Sequence, residues 1–502
     1  MLDLLLGLGP VAPAVVGLLL LGWPLVGPSW EERHERIVAR VAGMALLVTL
    51  TADAAWLALS LRGGLAERTF GLWLEHPRVA WSLSANLPLA AIALTMALAS
   101  AAALRFAVTY MHRESRFAKF VGGLLLFSGA MQLIALGGNP ALTFLGWEVA
   151  GACSALLIAY RTERPAAVAG GVRALLTNRV GDAAFLLALG LWASARGGLD
   201  WADASTVAAA SPAVPVLLVI AAAAKSAQVP FTPWIARAME GPTPSSTLFY
   251  GAAMVHAGLV LLIRAGDALA LSAPAAALAV GIGLLSAVVG GLAALAQPDV
   301  KGGLVQAAVA QIGLGFIGVG LGLPGWAALH LCAHALVRGM QFILSPAHLS
   351  ELPAGRTPAI GGWLASQARL QRAARERFYL EAAHENLVAA PLRALAERLA
   401  AFDTAVVERL SGQPADEVPE VGGPAAAADR PRGFAVASTA RVAAAVEVME
   451  ELLVGRFIGD GLPRGTGRLG AALDGVERRL AQPWTIAVAV AIGLGLAFGS
   501  AP

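Results

Sequence analysis

Apolar runs of about twenty residues recur along this chain, at 4–26, 37–61, 85–107, 120–137, 142–160, 168–192, 215–235, 247–263, 275–295, 303–321, 326–344 and 483–498. A helix of that length crosses the hydrocarbon core of a bilayer, where backbone groups have no water to bond and must be satisfied inside the segment. The expected fold class is therefore an all-α polytopic membrane protein with about twelve transmembrane helices. Of the 502 residues, 57% are hydrophobic and 14% charged. Soluble domains carry about 25% charge, so an ordinary water-soluble enzyme is excluded. The net charge of +3 provides no basic footprint for nucleic acid. No basic residue precedes the first run, which is too long for a signal segment and is read as retained.

Arginine and lysine in the short loops set the orientation. With the N-terminus outside, the inner loops hold about 12 basic residues against about 5 on the outer side, chiefly through Arg113, Arg116, Lys119, Arg161, Arg164 and Arg173. Four segments follow: N-terminal transmembrane helices at 1–110, a transmembrane domain at 111–345, a charged cytoplasmic segment at 346–482 and a final transmembrane helix at 483–502. Within the charged segment, Leu387, Pro391, Leu392, Leu395, Leu399, Phe402, Val406 and Leu410 recur at helical spacing, which predicts an amphipathic helix over 368–410. A linker at 412–433 and a second amphipathic helix at 434–458 come next.

Only three of the 36 basic residues are lysine: Lys119, Lys225 and Lys301. A chain that uses arginine nearly everywhere keeps lysine where arginine fails, and the chemical difference is that a desolvated lysine can lose its proton. Titratable side chains at bilayer depth cost several kcal/mol, on the order of 3 for an acid or base at a helix centre, and so mark function. Such groups are Glu148 in Gly146-Trp147-Glu148, Asp182 after Asn178-Arg179-Val180-Gly181, Lys225 in Ala224-Lys225-Ser226-Ala227-Gln228, His256, Lys301, and the series His330, His334 and Arg338. The last three lie at i, i+4 steps on one helix face. Pro230 and Pro233 remove backbone donors just after Lys225, which predicts a helix broken in a buried place. Two readings stay open on the residues alone: ion pairs and hydrogen bonds that fasten helices, or a proton relay. His330 and His334 lack a third ligand, and Cys153 and Cys332 stand apart inside apolar runs, so neither a metal nor another cofactor is expected in this chain.

Several strings are specific: Tyr110-Met111, Phe120, Asn139-Pro140, Gly146-Trp147-Glu148, Asn178-Arg179-Val180-Gly181-Asp182, Lys225 through Phe231, Glu240-Gly241-Pro242-Thr243-Pro244, Asp299-Val300-Lys301, Gln311-Ile312-Gly313 and His330 to His334. Over about 100–345 the chain resembles the antiporter-like membrane subunits of respiratory complex I, most closely chain 5. The resemblance implies an antiporter-like fold, a coupled pair of Glu148 and Lys225, and proton carriage by His256, Lys301, His330 and His334. Asp182, Arg179 and Arg338 would supply supporting charge. The chain departs from that family where a second broken helix with its own lysine should follow the His330 run, since Leu344 leads directly into the charged segment.

A truncated second inverted repeat in a chain of this length is similar to the membrane component (DabB) of the energy-coupled inorganic carbon transporters of the DAB type. That resemblance implies a cytoplasmic, zinc-containing, carbonic-anhydrase-like partner (a DabA-like protein), residence in the cell inner membrane, and an ion gradient that drives carbon dioxide hydration to bicarbonate. The alternatives are a proton-translocating subunit of an NADH or ferredoxin dehydrogenase, one component of a cation/proton antiporter, and a membrane scaffold. Redox chemistry on this chain itself is not expected, because it carries no nucleotide fingerprint or cysteine cluster.

Overall fold

A computed structural model of the protein describes residues 2–22, 34–63, 65–74, 79–114, 116–345 and 363–411. The expected linker at 412–433, the amphipathic helix at 434–458 and the span at 483–498 lie outside the described residues. The chain divides into two compact units, Met1–Ala389 and Ala390–Pro502.

Ten helices among the described residues are long and apolar enough to cross a membrane. They include α1 (Leu2–Gly22), α2 (Glu35–Leu61), α3 (Leu87–Tyr110), α4 (Phe117–Leu136), α5 (Pro140–Ile158) and α6 (Pro165–Arg196). The apolar run at 215–235 is not one helix. Its first part, α7 (Ala213–Lys225), follows the short helices of Trp201–Ala210 at a bend of 119°, and a separate turn of helix occupies Pro233–Arg237. The run at 247–263 is also irregular, passing from a π turn at Thr247–Ala252 through a tight turn at Met254–His256 into α8 (Ala257–Arg264). Three regular helices complete the bundle: α9 (Ala273–Ala296), α10 (Val300–Gly320) and α11 (Pro324–Leu344).

Helix starts follow their caps. Asn86, Asn139 and Asp299 each accept a hydrogen bond from a backbone N–H three residues on, at Leu89 (3.1 Å), Leu142 (3.0 Å) and Gly302 (2.7 Å). Pro140 after Asn139 forfeits only an N–H that the helix end leaves unbonded. Helices approach closely where glycines face each other: a Cβ at Gly17 would stand 2.8 Å from the Gly122 carbonyl oxygen, so α1 and α4 meet almost backbone to backbone.

A two-stranded antiparallel hairpin, β1 (Ala66–Leu74) and β2 (Val79–Ala85), joins α2 to α3 and interrupts the all-helical expectation. It is fastened at one end of the bundle: Asn139 Nδ2 donates to the Ala80 carbonyl (2.6 Å), Arg264 donates to the Ser84 carbonyl (2.7 Å), and Arg68 pairs with Asp3 (2.8 Å). Tyr110, Arg164 and Arg237 mark the opposite end.

The amphipathic helix expected over 368–410 is broken. Helix Ala368–Arg375 stops before Arg377, Phe378 and Tyr379, whose φ angles of 52°, 56° and 56° lie outside the helical region, and helix resumes at Leu380–His384. Within the first unit this segment holds onto α6: Arg173 pairs with Glu381 (2.9 Å) and Glu385 (3.0 Å), and Arg237 also pairs with Glu381 (2.6 Å). His384 Nε2 lies 3.2 Å from the Thr177 hydroxyl, which itself donates to the Arg173 carbonyl, so the ring donates. Burial first, then the Arg173 guanidinium, holds His384 below the ordinary imidazole range. In the second unit, α12 (Ala390–Ser411) carries Leu395, Leu399 and Phe402 as exposed side chains.

Candidate functional site

α7 ends on Lys225, its thirteenth residue, and several backbone groups at the break find partners. Ser226 N–H donates to the Ala222 carbonyl (2.9 Å) and Gln228 N–H to the Ala223 carbonyl (2.9 Å), while Trp234 Nε1 takes the Ala224 carbonyl (3.1 Å). Val229 N–H is satisfied by the Ser286 hydroxyl at 2.9 Å, and Ala227 turns the chain with a φ of 51°. An irregular segment at membrane depth is tolerated because other helices supply these partners.

The Lys225 side chain is 1% exposed. Its Nζ donates to the Trp147 carbonyl (3.1 Å), lies 3.4 Å from Asp182 Oδ1 and sits 4.8 Å from the Trp147 ring centroid. Asp182 also accepts from Trp147 Nε1 at 2.7 Å. Arg179, one turn before Asp182 on α6, reaches Asp182 Oδ2 (2.8 Å) with the same nitrogen that reaches Glu148 Oε2 (2.7 Å). Glu148 and Lys225, the expected coupled pair, stand at the two ends of a four-membered string, Glu148, Arg179, Asp182, Lys225. Two negative and two positive charges alternate along it, so the ensemble is neutral as a whole. Glu148 and Arg179 form its more open end, with side chains 28% and 45% exposed.

The histidines form a second string. His256 Nε2 and His334 Nδ1 are 2.9 Å apart, one nitrogen donating to the other, although 78 residues separate them. His330 lies one turn from His334, with ring centroids 6.3 Å apart, stacks on Trp326 at 5.2 Å and bonds the Gln311 carbonyl at 2.9 Å. The two strings approach where α8 crosses the end of α7. A Cβ at Gly258 would collide with the Ala222 carbonyl oxygen and the Ser226 hydroxyl, so only glycine lets the residue after Ala257 rest beside the residue after Lys225. Gly258→Ala is expected to lower stability by about 1–3 kcal/mol, the usual range for overpacking. A thermal melt in lipid nanodiscs would measure it, and an unchanged midpoint would refute the close crossing.

Two expected members stand elsewhere. Lys301 is at the far end of the bundle from the hairpin, where its Nζ donates to the Thr243 hydroxyl (3.3 Å); ten residues of α10, about 15 Å, separate it from Gln311. Arg338 is buried on the His330 face, yet pairs with no carboxylate among the described residues, and its Nε has no partner. Sequence reasoning passed over Ser226 and Gln228, buried polar groups at the break with unbonded Oγ and Oε1 atoms, and over Asp53, a fully buried carboxylate in α2. Asp53 was detectable by the rule that picked Glu148: one acid in a long apolar run.

Residues 138–355 match the family model of the transmembrane domain of NADH:quinone oxidoreductases and Mrp antiporters. The fold is antiporter-like. The chain is 38% identical over 250 residues to NADH-quinone oxidoreductase subunit L of Mycobacterium tuberculosis, a stretch covering 48% of this chain and 39% of that protein. It is 32% identical over 250 residues to NADH-ubiquinone oxidoreductase chain 5 of Rhinoceros unicornis, covering 50% and 41%. The chain thus spans about two fifths of the length of these relatives. Among solved structures, the Mrp complex from Dietzia sp. DQ12-45-1b superposes with a TM-score of 0.58 at 26% identity, covering 68% of this chain and 37% of that one. The membrane-bound sulfane sulfur reductase, an archaeal respiratory complex, shares the fold with a TM-score of 0.55 at 18% identity, over 67% of this chain and 55% of that one. Both strings, Glu148 to Lys225 and His256 to His330, lie inside the matched region.

Proposed function

We propose that this chain is the proton-conducting membrane component of a two-protein inorganic carbon uptake complex, set in the cell inner membrane with its N-terminus outside. The observation that carries proton conduction is the pair of titratable strings meeting at a broken helix. At rest Lys225 is protonated, held by Asp182 and the Trp147 carbonyl. Arg179 divides its attraction between Glu148 and Asp182. A proton arriving on Glu148 frees Arg179 to turn wholly to Asp182, which then holds Lys225 less firmly. The proton released from Lys225 passes toward His256, His334 and His330. Ser226 Oγ and Gln228 Oε1 at the break, and His256 Nδ1 and His334 Nε2 in the histidine string, are buried without a hydrogen bond and offer sites for bridging water. Imidazoles, whose ordinary titration lies near neutrality, suit both steps of receiving and passing a proton. Lys301, beside Thr243 at the inner end, is the group through which this path meets the cytoplasmic side.

The carbon-uptake assignment is supported by the resemblance to the membrane component of the DAB type and by the charged segment that follows α11. Zinc would reside on the cytoplasmic partner, and α12 offers that partner Leu395 and Leu399. Co-expression of the chain with a zinc-containing DabA-like protein in a carbonic-anhydrase-deficient host tests the reading. Growth at ambient carbon dioxide is expected, as is co-purification that is lost when Leu395 and Leu399 become Asp; no rescue by the pair would overturn it. The similarity to subunit L and chain 5 favours a second reading, a proton-translocating subunit of a dehydrogenase. Co-purification with quinone-reducing proteins would decide for that one.

A further inference from the structure

The segment from Ala368 to Ala389 lies at the end of the bundle opposite the hairpin, tied down by polar side chains. Glu381 is its hub, accepting from Arg173 of α6 (2.9 Å), from Arg237 of the turn at Pro233–Arg237 (2.6 Å) and from Arg377 (3.5 Å). Glu385 takes the other terminal nitrogen of Arg173 (3.0 Å). On the opposite side Gln297, just past the end of α9, donates to the Arg375 carbonyl (3.4 Å) and accepts from Arg377 (3.5 Å). The segment thus straps α6 to α9 across the turn that follows the break after Lys225.

Its backbone is strained while it does so. Arg377, Phe378 and Tyr379 all have left-handed φ angles, which bring the Cβ of an L residue too close to the next carbonyl oxygen. Three such residues in succession persist only while surrounding contacts enforce them. Docking is therefore a balance, with ion pairs on one side and backbone strain on the other.

His384 stands where that balance can be tipped. Its Nε2–H donates to the Thr177 hydroxyl (3.2 Å), whose own hydrogen goes to the Arg173 carbonyl (2.9 Å). Its Nδ1 is buried and has no hydrogen-bond partner among the described residues, which fits a neutral ring. Arg173, Glu381 and Glu385 act on the ring directly, and Arg237 and Arg377 reach it through Glu381. These five groups carry three positive and two negative charges, and both carboxylates are already taken by guanidinium groups. A proton on Nδ1 would add a second excess positive charge to the cluster and place a donor where no acceptor stands.

We propose that this strap is a pH-operated latch, docked while His384 is neutral and released from α6 when His384 takes up a proton, so that acid on that side of the membrane uncovers the turn beyond Lys225. The docked ring resists protonation and the released ring does not. Docking is therefore fully favoured above the ordinary imidazole range and weakens as pH falls through it, by at most about tenfold in the docked-to-released ratio per pH unit. The latch is independent of which substrate the assembly carries.

The test uses the full chain in lipid nanodiscs, with Cys153 and Cys332 replaced by Ala. Spin labels are placed at two exposed positions, Ala195→Cys at the hairpin end of α6 and Ala383→Cys on the strap. Double electron–electron resonance is expected to give one narrow distance at about pH 8. A second, broader population should grow as pH is lowered to about 5.5, the docked-to-released ratio falling about five- to tenfold. His384→Gln, whose amide N–H can serve Thr177 without titrating, should stay docked throughout that range. It leaves Glu381 and Glu385 in place, so a pH response that survives in it would assign release to the carboxylates and overturn the proposal. A distance distribution that does not change with pH in the chain carrying His384 would overturn it as well.

Discussion

Lys225→Arg is expected to lose transport nearly as completely as Lys225→Ala, each by at least about a hundredfold, the scale of removing a positioned proton-transfer group. Arginine keeps the positive charge that Asp182 faces but stays protonated, so it can hold the string together without passing a proton. Shape acts in the same direction. A Cβ at Gly151 would stand 2.8 Å from Lys225 Nζ, so the ammonium already rests against the α5 backbone and leaves little room for a guanidinium. Uptake measured in vesicles with matched amounts of inserted protein is the readout, and near wild-type uptake in Lys225→Arg would refute proton release from this residue.

The second large effect is on stability. Asp182→Leu leaves Lys225 buried without its carboxylate and orphans Trp147 Nε1, and breaking a buried pair from one side costs about 3–5 kcal/mol. Asp182→Leu with Lys225→Met removes both charges and is expected to recover most of that loss, although the double variant should not transport. Unfolding midpoints of the two variants in the same lipid measure the difference. A single variant as stable as the parent would show that Asp182 does not hold Lys225.

How far the site was legible follows from the kind of spacing involved. His330, His334 and Arg338 on one face, and Arg179 with Asp182, are relations within one helix, and the 3.6-residue period fixes them from residue numbers alone. Glu148 with Arg179, and His256 with His334, depend on the depth at which one helix stops against another. That depth is set by contacts such as Gly258 on Ala222, which no local period encodes. The break after Lys225 was announced by Pro230 and Pro233. The break at Arg377-Phe378-Tyr379 was not, because neither glycine nor proline marks it. The hairpin was equally silent: Trp81-Ser82-Leu83-Ser84 alternates, but over too few residues to stand out against the long apolar runs on either side.

The half-length of α7 also bears on how the membrane voltage acts. Thirteen residues rise about 20 Å, so Lys225 stands roughly two thirds of the way across a hydrocarbon core of about 30 Å when counted from the hairpin side. If protons pass through Lys225 as proposed, the two legs of the path are electrically unequal. The longer leg carries about 1.5 kcal/mol per 100 mV and the shorter about half of that. On the proposed path the membrane potential thus weighs on filling and emptying Lys225 to different degrees, and the voltage dependence of each step follows from the point at which one helix ends.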